Sequence, residues 1–133
     1  MSAIFLLIVL AALGAAMVTF STAQHATSAQ DIQGSRAYQA ARAGIEWGVF
    51  QVLRGSPTPP VCNASTPLTL GGTLSGFAVT VECAVFPASG AFNENGTSSQ
   101  VFRITSTAVI GAEGSVARVE RQLQVTVEYP PPP

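Results

Sequence analysis

The chain has 133 residues, 47% of them hydrophobic and only 10% charged, with 6 Lys+Arg, 7 Asp+Glu, one His and two Cys. This length suits one small domain plus an appendage, and a net charge of −1 lacks the positive field that a phosphate-backbone partner requires, so no nucleic acid is expected to bind. One His and two Cys cannot furnish the four ligands of a structural zinc site and supply a three-ligand catalytic site poorly, so neither a metal nor another cofactor is expected.

Residues 1–30 hold no Asp, Glu, Lys or Arg, and residues 3–18 (AIFLLIVLAALGAAMV) are all apolar or glycine. At about 1.5 Å rise per residue this run reaches roughly 24 Å, short of a ~30 Å hydrocarbon core, and Thr19, Phe20 and Ser21 extend it to a marginal span. Residues 1–21 are therefore expected to form a transmembrane and assembly helix. A buried core helix is one alternative, but the remaining domain is too small to enclose a helix that is apolar on every side. A cleavable signal peptide is another, because Ser21-Thr22-Ala23 before Gln24 offers the small residues that signal peptidase prefers. Against cleavage, no basic residue precedes the run, and the run is long for such a signal. The missing basic flank predicts in turn that the natural chain starts upstream of Met1.

Within the run, Ala11, Ala12, Gly14, Ala15 and Ala16 spread small residues over much of the helix surface. The pairs Ala11/Ala15 and Ala12/Ala16 repeat a spacing that lets helix backbones approach closely, so these five residues are the expected assembly face. The charges that follow nearly cancel and set no orientation. Two cysteines in the C-terminal part favour an oxidising compartment, outside the inner membrane.

Residues 22–54 read as a polar bridge and an amphipathic half-helix. In residues 31–54 (DIQGSRAYQAARAGIEWGVFQVLR) Ile32, Tyr38, Ala41, Ile45, Val49 and Val52 recur at helical spacing, with Arg36, Gln39, Arg42, Glu46 and Gln51 away from them. One helix over residues 3–53 follows, weakened locally by Gly34, Gly44 and Gly48 and stopped by Gly55, Pro57, Pro59 and Pro60. Tyr38, Ala41, Ile45, Val49 and Val52 are the expected sheet-packing face, joined by Trp47 and Phe50. Arg42 and Glu46 are expected to form an exposed ion pair, and His25, among polar neighbours, reads as solvated rather than catalytic.

Residues 55–76 read as a loop carrying Cys62, and in residues 77–129 the period changes from 3.6 to 2. Phe77, Val79, Val81, Cys83 and Val85 alternate with Ala78, Thr80, Glu82 and Ala84, and Phe102, Ile104, Ala108 and Ile110 alternate with Arg103, Thr105 and Thr107. In the last run Val119, Leu123, Val125 and Val127 oppose Arg118, Glu120, Gln122, Gln124 and Glu128. Ala88-Ser89-Gly90 and Asn93-Glu94-Asn95-Gly96 mark the first connection, and Gly111-Ala112-Glu113-Gly114 predicts a tight hairpin. The fold class is α+β, a long N-terminal helix packed on a small antiparallel sheet. Cys62 and Cys83 are expected to form a largely buried disulfide, which closes about 22 residues and contributes roughly 3 kcal/mol in the chain-entropy model. Two glycosylation sequons, at Asn63 and Asn95, read as chance matches, and residues 130–133 are a proline tail. An enzyme is not expected: there is no Lys and no second His, and the glycine-rich residues 71–76 (GGTLSG) precede a strand, the wrong order for cradling phosphate.

The uncharged start AIFLLIVLAALGAAMV, the polar bridge STAQHATSAQD and above all SRAYQAARAGIEWGVFQVL resemble the type IV minor pilin-like proteins, most closely the MSHA biogenesis protein MshP family. The likeness is strong through residue 53 and diffuse in the sheet. It implies a pilin-like structural subunit of type IV pilus biogenesis, held by a single pass in a bacterial inner membrane with its globular part periplasmic, then packed into a pilus. The implied partners are other pilin and minor pilin subunits and, if a leader exists upstream, a prepilin peptidase. Family members generally carry a basic leader ending in Gly and a Glu at the fifth mature position, whereas no acid here precedes Asp31. The start is then internal, or the subunit lacks that glutamate, which would suit an apical position. A type II secretion pseudopilin and a small secreted or periplasmic binding domain released after Ala23 stand as alternatives.

Overall fold

The computed structural model describes residues 2–54, 62–88, 92–94 and 96–129, the side chains of residues 2, 19–26, 54, 94, 97 and 98 excepted. The expectations for His25, for cleavage after Ala23, for Gly55 and the prolines behind it, for the Asn95 sequon and for residues 130–133 lie outside the described residues. The chain forms two compact units, Met1–Gln33 and Gly34–Pro133. Helix α1 (Ser2–Arg54) contributes to both, as the expected single helix.

In the first unit every described side chain from residue 3 to 18 is exposed. Ile4, Phe5, Leu7 and Met17 keep 65, 68, 67 and 72% of their surface accessible. Among the described residues no helix is long and apolar enough to cross a membrane; the described side chains of the uncharged run end at Val18.

The second unit is an antiparallel sheet covered by the last turns of α1. Its strands are β1 (Thr66–Leu68), β2 (Ala78–Phe86), β3 (Phe92–Glu94), β4 (Thr97–Ile110) and β5 (Val119–Tyr129). β4 is central, with β2 and β5 pairing along the same residues from opposite sides, β1 beyond β2, and β3 on the leading end of β4. The period-2 reading holds. Val79, Val81, Phe102, Ile104 and Ala108 are buried, Val119, Leu123, Val125 and Val127 are half-buried, and Glu82, Ala84, Arg103, Glu120 and Gln122 are exposed. Register aligns Cys83 with Ile104 and Val125, Val81 with Ser106 and Leu123, and Val79 with Ala108 and Arg121, so three rows face the helix.

The structure corrects the expected loops, the expected hairpin and part of the expected packing face. The loop of residues 55–76 contains β1, and the first connection contains β3; strands of three residues are too short to show a period. The tight hairpin is instead a loop over residues 111–118, built of two turns in which the Ser115 N–H donates to the Ala112 carbonyl at 3.2 Å and the Arg118 N–H to the Ser115 carbonyl at 3.0 Å. Gly111 enters it at φ +90°, where a Cβ would lie 3.0 Å from the Ala117 carbonyl oxygen, so both conformation and space call for glycine. Finally, Tyr38 does not pack on the sheet: it is 48% exposed, as Ile32 is at 54% and Phe50 at 53%.

The buried stripe of α1 is Gly34, Ala37, Ala40, Ala41, Gly44, Gly48 and Val52, spaced three and four apart. A Cβ on Gly44 would collide with the Ser106 hydroxyl and lie 3.0 Å from Val79 Cγ1, and one on Gly48 would lie 2.6 Å from Ile104 Cγ2. Each glycine costs the helix about 1 kcal/mol relative to alanine. That loss admits the backbone directly onto the branched side chains of β2 and β4, and close packing recovers it. Tyr38 lies beside the line of Ala37, Ala41 and Gly44 rather than on it, and its ring stays in solvent. Ala41 and Val52 lie in the contact as expected, Ile45 and Val49 flank it half-buried, and Trp47 packs against its other side.

Candidate functional site

The five residues of the expected assembly face, Ala11, Ala12, Gly14, Ala15 and Ala16, are all exposed on α1. At 100° per residue Ala11, Ala15, Ala12 and Ala16 span about 140° of the helix surface, and a Cβ added at Gly14 would meet nothing within 4 Å. The large side chains beside them are equally uncovered: Leu10 is 63% exposed and Leu13 54%. Such a surface is apolar on every side and stable only against lipid or other protein.

A second cluster gathers where β1 and β2 meet the C-terminal turns of α1. Cys62 and Cys83 form a disulfide with Cα atoms 5.2 Å apart, and the Cys83 N–H donates to the Asn63 carbonyl at 3.1 Å. Both cysteines are half-buried rather than largely buried, because the bond lies at the rim of the sheet. Beside it Trp47, Gln51, Asn63 and Thr66 line a cavity of about 30 Å³. That space suits a water between polar neighbours and is far too small for a substrate.

The face of the sheet away from the helix is polar. Arg103 stacks its guanidinium 4.4 Å from the Phe86 ring centroid, and Gln122 Nε2 donates to Thr107 Oγ1 at 3.2 Å. A shallow depression of about 250 Å³ lies between Glu82, Arg103 and Thr105. Among the described residues no three His, Cys, Asp or Glu side chains come together as metal ligands. The expected helix-surface pair is present, Arg42 Nε to Glu46 Oε1 at 3.0 Å with both side chains about two-thirds exposed; such pairs contribute a few tenths of a kcal/mol, roughly 0.3–0.5.

One residue escaped the sequence reading. Arg121 lies in a helix-facing row beside Ala108, and its Nη2 would be 3.3 Å from a Cβ on Gly34. The signal was present, since 121 has the parity of Val119 and Leu123, but a charge in an apolar row runs against the hydropathy pattern.

These features define an α+β protein: in the second unit the last turns of α1 cover a disulfide-bonded antiparallel sheet, and in the first unit α1 exposes apolar and small residues. Comparison with protein-family models, with curated proteins and with solved structures finds no match.

Proposed function

We propose that this chain is a minor pilin-like structural subunit of type IV, MSHA-type pilus biogenesis. In this reading the first part of α1 is anchored in a bacterial inner membrane, the Gly34–Pro133 unit is periplasmic, and the helix assembles with other pilin and minor pilin subunits. The observation that carries the reading is the uncovered apolar surface of residues 3–18 on a helix whose later turns are built to grip a sheet. The likeness of SRAYQAARAGIEWGVFQVL to the MSHA biogenesis proteins adds to it. The span is completed in sequence by Thr19 and Phe20, which bring the uncharged stretch from residue 3 to residue 20. A Cys62–Cys83 disulfide forms and persists where thiols oxidise, which agrees with a periplasmic position.

Affinity purification of the full chain from detergent-solubilised envelopes of its own cells tests this. Pilin subunits are expected to co-purify, and deletion of the gene is expected to reduce piliation. Recovery in the soluble fraction with a mature start at Gln24 would replace the reading with a released binding domain. Intact pili with failed protein export would replace it with a secretion pseudopilin.

A further inference from the structure

Helix α1 covers two strands, and the sheet is wider than that. Gly44 lies on Val79 and Ser106, and Gly48 on Val81 and Ile104, so the helix follows the line between β2 and β4. On its β1 side Trp47 and Gln51 meet Asn63 and Thr66. The opposite flank, where Tyr38, Ile45 and Val49 fall within about 40° of one another, therefore turns toward β5. There the cover stops short. Val79, Val81 and Ile104 keep 3% exposure or less, whereas Ile45, Val49, Leu123, Val125 and Val127 are half-buried and Tyr38 is exposed. Helix flank and strand form an apolar ledge, with Ile45 and Val49 as its wall and Leu123, Val125 and Val127 as its floor. Arg121, which reaches Gly34 and donates to the Glu120 carbonyl, closes one end, and Arg42 on the rim is paired with Glu46.

The dimensions call for a helix. Strands lie about 4.8 Å apart, which puts β5 about 7 Å to the side of α1, and neighbouring helices pack roughly 8–10 Å apart. The sheet also shows what kind of helix it takes, because α1 sits on branched side chains through a stripe of glycine and alanine. Residues 3–18 are a second helical stretch of that kind, uncharged, exposed throughout and carrying Ala11, Ala12, Gly14, Ala15 and Ala16. Neither this segment nor the ledge floor brings a charge into the contact. We propose that residues 3–18 of a second copy of this chain dock on the ledge, beside α1 and over β5. This rests on the pilin-like reading and names the surface that receives the helix. Ledge and segment are unlike surfaces, so the contact is head-to-tail and extends through successive copies instead of closing on a two-fold axis. The segment exchanges lipid for protein, so the contact forms as a copy leaves the membrane for the assembly.

A photoreactive p-benzoylphenylalanine in place of Tyr38 reads the occupant in intact cells that make the full chain. Tyr38 is exposed, so the exchange leaves the fold in place. Irradiation is expected to give a dimer adduct whose captured peptide comes from residues 3–18 of a second copy. The same probe at Gln39, which is exposed and about 100° further round α1, is expected to give several-fold less. Ala12→Leu with Ala16→Leu is expected to lower the Tyr38 adduct several-fold. Capture of another protein, of a different part of the second copy, or of nothing overturns the proposal, as does an adduct equal at Gln39 or indifferent to the two leucines. Pilin co-purification from the same cells separates the two readings: the adduct without pilins keeps the docking and removes the pilin-like role, and pilins without the adduct do the reverse.

Discussion

At Gly44 the helix backbone and the Ser106 side chain occupy adjoining space with nothing to spare. The Ser106 hydroxyl is fully buried and has no hydrogen-bond partner among the described residues. Its value there is size, since a larger residue on β4 would push α1 off the sheet, while its oxygen is a cost of about 1–3 kcal/mol. Ser106→Ala is therefore expected to raise the thermal midpoint, by about 1 kcal/mol of stability. Gly44→Ala is expected to lose more than about 2 kcal/mol by overpacking, despite alanine's better helix propensity. Because the added methyl meets both Ser106 and Val79, combining the two substitutions should recover part of the loss and leave the Val79 contact strained. Thermal melts of the four proteins measure that coupling; strict additivity would show that the two residues do not share the space.

Packing of α1 as an element depends on which stripe it buries. Tyr38→Ser should change stability by no more than about 0.5 kcal/mol, and Ala41→Asp, which places an unpaired charge at a fully buried position, should abolish the melting transition. Ile45→Asp falls between them because Ile45 is half-buried and water reaches a carboxylate there. The strands were legible because branched residues alternate over nine or more positions in β2, β4 and β5. The helix was legible as a helix, but its contact face was not. Hydropathy gives weight to Ile32 and Tyr38 and almost none to Ala37, Gly44 and Gly48, although the small residues make the contact. The Cys62–Cys83 bridge was legible from the presence of just two cysteines in a small domain, and its rim position was not. Reduction and alkylation of the thiols should lower the unfolding midpoint by about 3 kcal/mol of stability, and an unchanged denaturant midpoint after confirmed alkylation would show that the loop is held by β1 pairing alone.

For the molecule as a whole, the exposed apolar segment and the packed unit have different demands. The segment needs an apolar surrounding, and its small residues suit contact with other helices better than contact with lipid, where leucine would serve. Ala12→Leu with Ala16→Leu keeps or raises membrane affinity while filling the close-approach surface. In the pilin-like role proposed above, the doubly substituted chain is expected to insert and form its disulfide normally, yet to fail to co-purify with pilin subunits and to thin or remove the pili. Normal piliation in that strain would make the segment a simple anchor and shift assembly to the sheet-bearing unit.

The glycine contacts also determine how α1 bears a load. Sliding the helix one turn, about 5.4 Å, brings Ala40 into the slot of Gly44 in one direction and Val52 into the slot of Gly48 in the other. Either move drives a side chain into Ser106 or Ile104. A pull along the axis is thus met by steric stops on both sides, so the sheet unit travels with the helix like a collar seated in notches. Steric resistance of this kind is indifferent to salt, whereas the exposed Arg42–Glu46 pair is screened. Tension passes between helix and sheet through shape, and it should pass equally well in dilute and concentrated electrolyte.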